Sequence, residues 1–350
     1  MKISTLGDTA PKPELPVFEE VRIENTNLCG FKCQFCPREK MTRPKGIQSI
    51  NDFRLVLDRV EEYAGVYAGQ VHLHGYGEPL LDPNLPTKTR LLTARWPNAL
   101  PWIITTLGYM FPPDYLRELV EAGMRQIIVS FYGADSDSYR RLTGVDRFHQ
   151  AYQNLSLLAG LKTKYGKQLA IRVQSSLTGL SSTIEQPAKQ EFNRRCAELG
   201  LEVVSFQLHN YGNGRNYEQG PGMLCDRAIR RHLFQVTWDL KVIPCCMDYD
   251  GALVLGDLRT NSISDILSNP GSIGFLANHR SGKAGAYAAC RNCSMRTLPL
   301  LEPLNESHQR FTTAPSASEP AHKSSGDDAE HKPERDVHRN IGDVCHASSP

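Results

Sequence analysis

Strand-like and helix-like patterns of hydrophobic and polar positions alternate from Val17 to Asn210. The strand-like runs are VFEEVRIENT, QVHLHGYGEP, PWIITTLG, RQIIVSFYG, QLAIRVQSSL and LEVVSFQLHN. Segments with apolar residues at helical spacing separate them: NDFRLVLDRVEEYA, NLPTKTRLLTARW, PPDYLRELVEAG, HQAYQNLSLLAGLKTKYG and QPAKQEFNRRCAELG. Six strands separated by helices predict an α/β fold with a parallel sheet that is either open or rolled into a barrel.

The pattern changes after this region, where the Gly-rich stretch YGNGRNYEQGPGM leads into a compact cysteine-bearing segment. Within that segment, FQVTWDLKVIP predicts a hairpin that turns near Asp239, and GDLRTNSISDIL predicts a turn and a short helix. The end of the chain is rich in Ser, Pro, His and charge, which is typical of disorder. The sequence therefore predicts four regions: an N-terminal extension (1–16), an α/β domain (17–211), a Cys-rich domain (212–298) and a disordered tail (299–350).

Composition narrows the classes of function. The chain has 350 residues, 40% of them hydrophobic, and a net charge of +2 without a basic stripe, so nucleic acid is not expected as the main partner. The opening residues lack the apolar stretch of a signal peptide, and no apolar run approaches membrane-spanning length. A cytoplasmic location is expected, and in that reducing compartment cysteine clusters are more often metal or catalytic sites than disulfides.

The first cysteine group is Cys29, Cys33 and Cys36, spaced C-x3-C-x2-C directly after the first predicted strand. An odd number of thiols in a reducing compartment argues against a disulfide framework. Zinc normally takes four ligands, commonly from paired C-x2-C knuckles, and no fourth ligand lies nearby. A [4Fe–4S] cluster held by three thiolates leaves one iron open to a small molecule. The spacing favours such a cluster, with zinc as the alternative.

A second group contains Cys225, Cys245, Cys290 and Cys293, separated by nineteen, forty-four and two residues. Four thiols that end in a C-x2-C knuckle are equally compatible with a structural zinc ribbon and with an iron–sulfur cluster. The neighbouring Cys246 is left over from this set.

The first motif, in its strand context, resembles the radical S-adenosylmethionine (radical SAM) superfamily. The resemblance implies a partial (β/α)6 TIM-like barrel and a [4Fe–4S] cluster whose open iron chelates the amino and carboxylate groups of SAM. It also implies that electron transfer, from a flavodoxin- or ferredoxin-type reductant, cleaves SAM to methionine and a 5′-deoxyadenosyl radical. That radical then takes a hydrogen atom from the substrate.

Six positions match SAM contacts of that family: Phe35, Gly77, Glu78, Pro79, Ser130 and Arg141. The aromatic residue would face adenine, the turn GYGEP resembles the Gly-Gly-Glu motif at the methionyl amine, and the serine, helped by the arginine, would contact the ribose or the carboxylate. The sequence departs from the family pattern twice. Tyr76 stands at the first glycine of the motif, and the third strand ends TTLG where relatives often have Asn before Gly.

After a radical SAM domain, the second cysteine group resembles a twitch domain, which is a shortened SPASM domain with one auxiliary [4Fe–4S] cluster. The spacing is similar to that in aminocyclitol dehydrogenases of aminoglycoside antibiotic biosynthesis. The resemblance implies that Cys225, Cys245, Cys290 and Cys293 ligate the auxiliary cluster. Cys246 would then replace Cys245 as a ligand, pack as a buried thiol, or donate a hydrogen atom, and we favour Cys245 as the ligand.

Polar residues at the strand ends predict a pocket for a small polar substrate. Strand alternation places His72 and His74 on one face, and His209 lies on the sixth strand. We expect radical dehydrogenation of an alcohol carbon on a sugar or aminocyclitol, with one of these histidines as the base. The alternatives are epimerisation of a sugar carbon with Cys246 as hydrogen donor, and peptide modification such as thioether formation or sulfatase maturation. A zinc-stabilised binding protein is the non-enzymatic alternative.

Overall fold

The fold was taken from a computed structural model, which describes residues 17–112, 114–175, 186–205, 209–211, 224–225, 228 and 233–296. The predicted N-terminal extension, the Gly-rich linker after Tyr211 and the C-terminal tail with Cys345 lie outside the described residues. All described residues belong to one compact unit.

Six parallel strands form the first part of the sheet, as the hydrophobic pattern predicted. They are β1 (Glu20–Ile23), β2 (Gln70–His72), β3 (Leu100–Thr105), β4 (Gln126–Ser130), β5 (Ala170–Ser175) and β6 (Val203–Ser205). Each strand pairs in parallel with the next one along the chain, so their order in space follows their order in sequence. The predicted α/β class and the partial barrel are confirmed.

Helices connect these strands: α1 (Ile50–Ala64), α2 (Leu85–Arg95), α3 (Tyr115–Glu121), α4 (Ser136–Thr143), α5 (Phe148–Tyr165) and α6 (Gln186–Glu198). Five of them were expected from their apolar spacing, whereas α4 was not. Helix α4 is short and polar, but a capping box between Asp135 and Ser138 begins it. Gly144, with φ 72°, ends it in the left-handed conformation that favours glycine.

The Cys-rich region continues the same sheet. β7 (Leu233–Val236) and β8 (Lys241–Ile243) form the predicted antiparallel hairpin, and β8 pairs with β9 (Gly256–Asp257). The sequence did not indicate that β7 also pairs in parallel with β1. Because of this pairing, the described strands form one open nine-stranded sheet with β6 and β9 at its edges.

Three further helices follow β9: α7 (Ile263–Ser268), α8 (Pro270–Arg280) and α9 (Ala288–Arg291). The predicted short helix after GDLRTNS is α7, and a capping box between Ser262 and Asp265 begins it. Helix α9 carries Cys290, so this part of the chain brings the C-x2-C knuckle back toward the hairpin.

The strands bury one face against the helices and turn a polar face inward. On β1, Val21 and Ile23 are fully buried in the same hydrophobic cluster as the inner face of α1. The alternate positions on this strand, Glu20 and Arg22, are polar and partly accessible. No helix in the described part of the chain is both long and apolar enough to cross a membrane.

Candidate active site

A cavity of about 390 Å³ lies where the parallel strands end. The active sites of βα barrels lie at this end of the strands, so the cavity is lined by residues from the strand ends and the loops that follow them. They include Cys29, Cys33, Phe35, Cys36, His74, Tyr76, Gly77, Glu78, Thr105, Thr106, Ser130, Gln174, His209 and Cys246, together with Arg22 deeper in the barrel. The cavity therefore contacts all three thiols of the first cysteine group and one thiol of the second.

The loop of the first cysteine group is held by the unexpected helix α4. Lys32 N–H donates to the carbonyl of Thr143 at 2.9 Å, and Gln34 N–H donates to that of Leu142 at 3.0 Å. These bonds tie both sides of Cys33 to the end of α4. Helix α4 thus fixes the cysteine loop on the cavity wall.

The three thiols of this loop lie close together in a mostly buried environment. Burial raises the pKa of the Cys33 thiol well above its usual range, and the neighbouring Cys36 and Cys29 raise it further. Burial also raises the pKa of Cys29, to about 11. Thiols that resist ionisation in this way become thiolates when a cationic group binds them. Three converging thiols on one cavity wall therefore fit a [4Fe–4S] cluster with one open iron.

The turn GYGEP packs directly beneath the start of the cysteine loop. A Cβ at Gly77 would contact the carbonyl of Thr26 and come within 2.7 Å of the carbonyl of Leu28, so only glycine fits there. Glu78 N–H donates to the same Leu28 carbonyl at 2.8 Å. The motif is thereby held against the residue before Cys29.

The Glu78 carboxylate is 2% exposed and is held by the end of β3. Its Oε2 accepts from Thr106 N at 2.8 Å and from Thr106 Oγ1 at 2.7 Å, and its Oε1 accepts from Thr105 Oγ1 at 2.5 Å. Burial raises the pKa of Glu78, while these hydrogen bonds act in the opposite direction. The segment TTLG therefore has a structural role, because its two threonines orient the glutamate of the motif.

Two other residues predicted to contact SAM also line the cavity. Phe35 is buried, and its ring centroid lies 4.3 Å from that of Tyr132. Ser130 ends β4, and its hydroxyl accepts a hydrogen bond from Gln174 Nε2 at 3.2 Å. The structure brings both residues to the wall that carries the first cysteine group.

Pro79 and Arg141 do not line the cavity. Pro79 begins the short 3-10 helix Pro79–Leu81, and its carbonyl accepts from Asn25 Nδ2 at 3.1 Å. Arg141 is exposed on α4, and its carbonyl accepts from Gln34 Nε2 at 2.8 Å. Both residues contact segments that support the site: Pro79 bonds to Asn25, which follows β1, and Arg141 bonds to Gln34 of the cysteine loop.

The three candidate histidines differ in whether they reach the cavity. His74 and His209 line the cavity, whereas His72 is 1% exposed and its ring centroid lies 3.8 Å from that of Trp102. Burial, followed by the charge of Arg22, lowers the pKa of His74 to about 3, so this imidazole is neutral near pH 7. A neutral imidazole with so low a pKa accepts hydrogen bonds but is a poor proton acceptor.

The second cysteine group also comes together. Burial raises the pKa of Cys290 to about 12, and the adjacent Cys225 and Cys293 raise it further. Met247 N–H donates to Cys245 Sγ, and Met295 N–H donates to Cys293 Sγ, both at 3.4 Å. Each sulfur thus accepts a bond from the amide two residues later, which suits a ligating thiolate. This shared pattern supports Cys245 as the ligand.

Both cysteine groups have the donor chemistry of a cluster. Among the residues described, no three His, Cys, Asp or Glu side chains surround a point where a single metal ion would fit. Zinc needs its ligands about 2.3 Å from one ion. The thiolates of a [4Fe–4S] cluster bind different irons and therefore stand farther apart.

Tyr76, the departure from the Gly-Gly-Glu pattern, links the two cysteine groups. Its hydroxyl donates a hydrogen bond to the backbone carbonyl of Cys246, and its ring contacts those of Tyr211 and Tyr249. The tyrosine therefore connects the turn beside Cys29 to the segment that follows Cys245. Cys246 itself lines the cavity, unlike Cys245.

A buried ion pair between Glu24 and Arg43 lies behind this connection and was not foreseen. The Glu24 carboxylate is 1% exposed on its side chain and accepts from Arg43 Nη1 at 2.7 Å and Nη2 at 2.6 Å. It also accepts from the backbone N–H groups of Tyr76 at 3.1 Å and Trp238 at 3.2 Å. One carboxylate thus joins β1, the segment after the first cysteine group, the SAM motif and the β7–β8 hairpin. The only sequence signal was an acidic residue at an inward position.

Family models match both regions of the chain. A model described as the radical SAM superfamily matches residues 23–169, and one described as an iron–sulfur cluster-binding SPASM domain matches residues 225–294. The first match spans the three-cysteine loop, and the second spans the four-cysteine set. The predicted resemblance to both families is confirmed.

Curated relatives agree with these matches. The S-adenosyl-L-methionine-dependent 2-deoxy-scyllo-inosamine dehydrogenase of Niallia circulans is 25% identical over 79% of this chain and 93% of its own length. The GTP 3′,8-cyclase of Chlorobaculum tepidum is 27% identical over 64% of this chain and 63% of its own length. The likeness to the dehydrogenase extends across both domains.

Solved structures share the fold. BtrN in complex with AdoMet and 2-DOIA superimposes with a TM-score of 0.55 and 22% identity, over 79% of this chain and 93% of that chain. Native anSMEcpe with bound AdoMet gives a TM-score of 0.54 and 13% identity, over 79% of this chain and 90% of that chain. A partial barrel with a C-terminal SPASM-type region, two converging cysteine groups and two matching family models lead to one conclusion: this chain is an enzyme with a radical SAM domain and a SPASM domain, which imply [4Fe–4S] clusters and SAM as its cofactors.

Proposed function

We propose that the protein oxidises an alcohol carbon of an aminocyclitol or sugar in the biosynthesis of an antibiotic-type natural product. The observation that carries this proposal is the cavity, which is lined both by the first cysteine group and by Cys246 and Met247 of the second cysteine region. The full-length likeness to a SAM-dependent 2-deoxy-scyllo-inosamine dehydrogenase supports the substrate class. A site between two clusters suits a reaction that needs a radical generator and an electron acceptor.

We assign the cluster ligands from the geometry of the two groups. Cys29, Cys33 and Cys36 hold the cluster that binds SAM, and the auxiliary cluster takes Cys225, Cys245, Cys290 and Cys293. Phe35, Gly77, Glu78 and Ser130 form the SAM-facing wall, as their places on the cavity support. Pro79 and Arg141 act indirectly in this proposal, because their contacts hold the motif and the cysteine loop in place.

When bound, SAM and its cluster would supply a 5′-deoxyadenosyl radical as the hydrogen-abstracting group, and the auxiliary cluster would supply an acceptor for one electron. The chain's own residues position the substrate and receive its hydroxyl proton. His209 is the better candidate base, because it lines the cavity while the pKa of His74 is too low. The neutral His74 would accept a hydrogen bond from a substrate hydroxyl.

A flavodoxin- or ferredoxin-type protein is the proposed source of the electron that starts the reaction. Cys29 and Cys36 are half-buried rather than fully buried, which supports electron transfer to the first cysteine group from a docked protein. None of the described cysteines forms a disulfide, which fits the proposed location in a reducing compartment such as the cytoplasm.

The dehydrogenase proposal predicts the product's mass. With 2-deoxy-scyllo-inosamine or a related aminocyclitol as substrate, the product should have lost two hydrogens, and one SAM should be consumed for each product formed. Cys246→Ser should remain active, since no thiol needs to return a hydrogen atom. Liquid chromatography with mass spectrometry of product and 5′-deoxyadenosine, in buffered D2O, measures all three quantities.

Epimerisation is the second candidate, and the position of Cys246 on the cavity wall favours it. In that reaction a thiol returns a hydrogen atom to the substrate radical, so the product has the substrate's mass apart from one solvent deuterium. Cys246→Ser would then form 5′-deoxyadenosine without releasing the epimer. An isobaric, deuterated product that this substitution abolishes would overturn the dehydrogenase proposal. Peptide modification has less support, because the likeness to anSMEcpe concerns the fold.

A further inference from the structure

Arg22 occupies a position in the barrel that the proposed reaction does not explain. It lies on β1, where it is paired with His72 of β2 on one side and with Gln235 of β7 on the other. Gln235 in turn pairs with Ile243 of β8, two residues before Cys245. A single row across three strands therefore leads from Arg22 to the auxiliary cysteines, and Arg22 lines the same cavity as Cys246.

The charge of Arg22 is buried and only partly neutralised. Its side chain is 14% exposed, and its Nη2 and Nε donate to the same Glu20 Oε2 at 2.8 and 3.1 Å. Burial acts to lower its pKa, but Cys246, then Glu20 and Cys245, outweigh burial and raise it. The guanidinium is therefore permanently charged and interacts electrostatically with the auxiliary segment.

Other charges act on the second cysteine group from different directions. Arg296 and the buried carboxylate of Asp248 both interact with the Cys290 thiol, with opposite effects on its pKa. The Asp248 carboxylate accepts hydrogen bonds from the backbone N–H groups of Ala252 and Leu253, each at 2.9 Å. Arg22, by contrast, lies on the cavity side, and its charge interacts with Cys246 and, more weakly, with Cys245.

We propose that Arg22 sets the reduction potential of the auxiliary cluster, raising it so that the cluster accepts an electron from the cavity. Reduction adds one negative charge to a cluster that four thiolates already make anionic, and a nearby buried cation stabilises the reduced form more than the oxidised form. Glu20 offsets part of this effect. Arg22 thus acts through its positive charge and does not itself react. The inference rests on the proposed function only for the reason that a raised potential would be useful.

The test is an anaerobic redox titration of the full-length, iron-loaded enzyme without substrate, followed by electron paramagnetic resonance. Adding SAM changes the signal of the cluster with the open iron and thereby identifies the auxiliary signal. Arg22→Gln should lower the midpoint potential of the auxiliary cluster and leave that of the SAM-binding cluster nearly unchanged. Arg22→Lys, which keeps the charge, should shift it much less.

Glu20→Gln is the opposing variant and should raise the auxiliary potential, because it removes the charge that offsets Arg22. Should Arg22→Gln fail to retain its cluster, this variant still tests the proposal. An auxiliary potential that is unchanged in both variants would overturn the inference and leave Arg22 as a substrate or packing contact. Since no turnover is measured, a wrong assignment of the reaction would leave this result intact, which keeps the two failures distinguishable.

Discussion

Replacing Cys29, Cys33 or Cys36 by alanine is expected to abolish SAM cleavage while the auxiliary cluster stays bound. The three thiols share one loop, and an iron open to SAM requires all three thiolates. The second group converges on separate elements, the β7–β8 hairpin and α9, so its cluster does not need the first. Formation of 5′-deoxyadenosine under reducing conditions and the iron content of each variant measure the two effects.

Cys196→Ala is a matched control for these variants. Cys196 is a fully buried thiol on α6 that lies in the hydrophobic core. Its replacement should leave SAM cleavage and iron content close to those of the unmodified enzyme. Production of 5′-deoxyadenosine by any of the three loop variants would contradict the assignment of the SAM-binding cluster.

Arg43→Ala should destabilise the protein by about 3–5 kcal/mol, because it leaves the Glu24 carboxylate buried without its cation. The two side chains are 11% and 1% exposed, and the pair joins the barrel to the β7–β8 hairpin through Trp238 N–H. Anaerobic urea denaturation, followed by circular dichroism, measures the apparent free energy of unfolding. Arg43→Lys should recover part of the loss, since it restores charge without the bidentate contact.

Arg194→Ala is the surface counterpart. Arg194 pairs with Glu191 and Glu198 on the outside of α6, where its side chain is 58% exposed. Such pairs contribute little to stability, so no resolvable change is expected. Equal effects of the Arg43 and Arg194 substitutions would contradict the view that the buried pair holds the two parts of the site together.

Local patterns in the sequence were sufficient for most of the fold. Alternating apolar positions placed the six parallel strands, and apolar spacing placed five of the six helices that connect them, because these signals depend on neighbours along the chain. The hairpin at Asp239 followed for the same reason. Helix α4 was not predicted, because the apolar face that it turns toward the core is short. Its capping box and Gly144 were nevertheless visible in the sequence.

Contacts between distant segments could not be predicted in this way. The pairing of β7 with β1 depends on tertiary packing and decides where the second cysteine group lies. Side-chain pairs such as Glu24 with Arg43, and the bond from Tyr76 to Cys246, likewise have no local signature. Strand alternation placed His72 and His74 on one face but did not give their depth, so only the structure showed that His74 alone of the two lines the cavity.

The proposed function depends on two [4Fe–4S] clusters, one in each cysteine group, with one of them open to SAM. Mössbauer spectroscopy of the anaerobically reconstituted, 57Fe-loaded enzyme, with iron and sulfide quantified, tests it most directly. We expect about eight irons per chain, all in [4Fe–4S] clusters, and a shift of a single iron site when SAM is added. Protein that retains zinc in either group, or about four irons with no response to SAM, would contradict the claim.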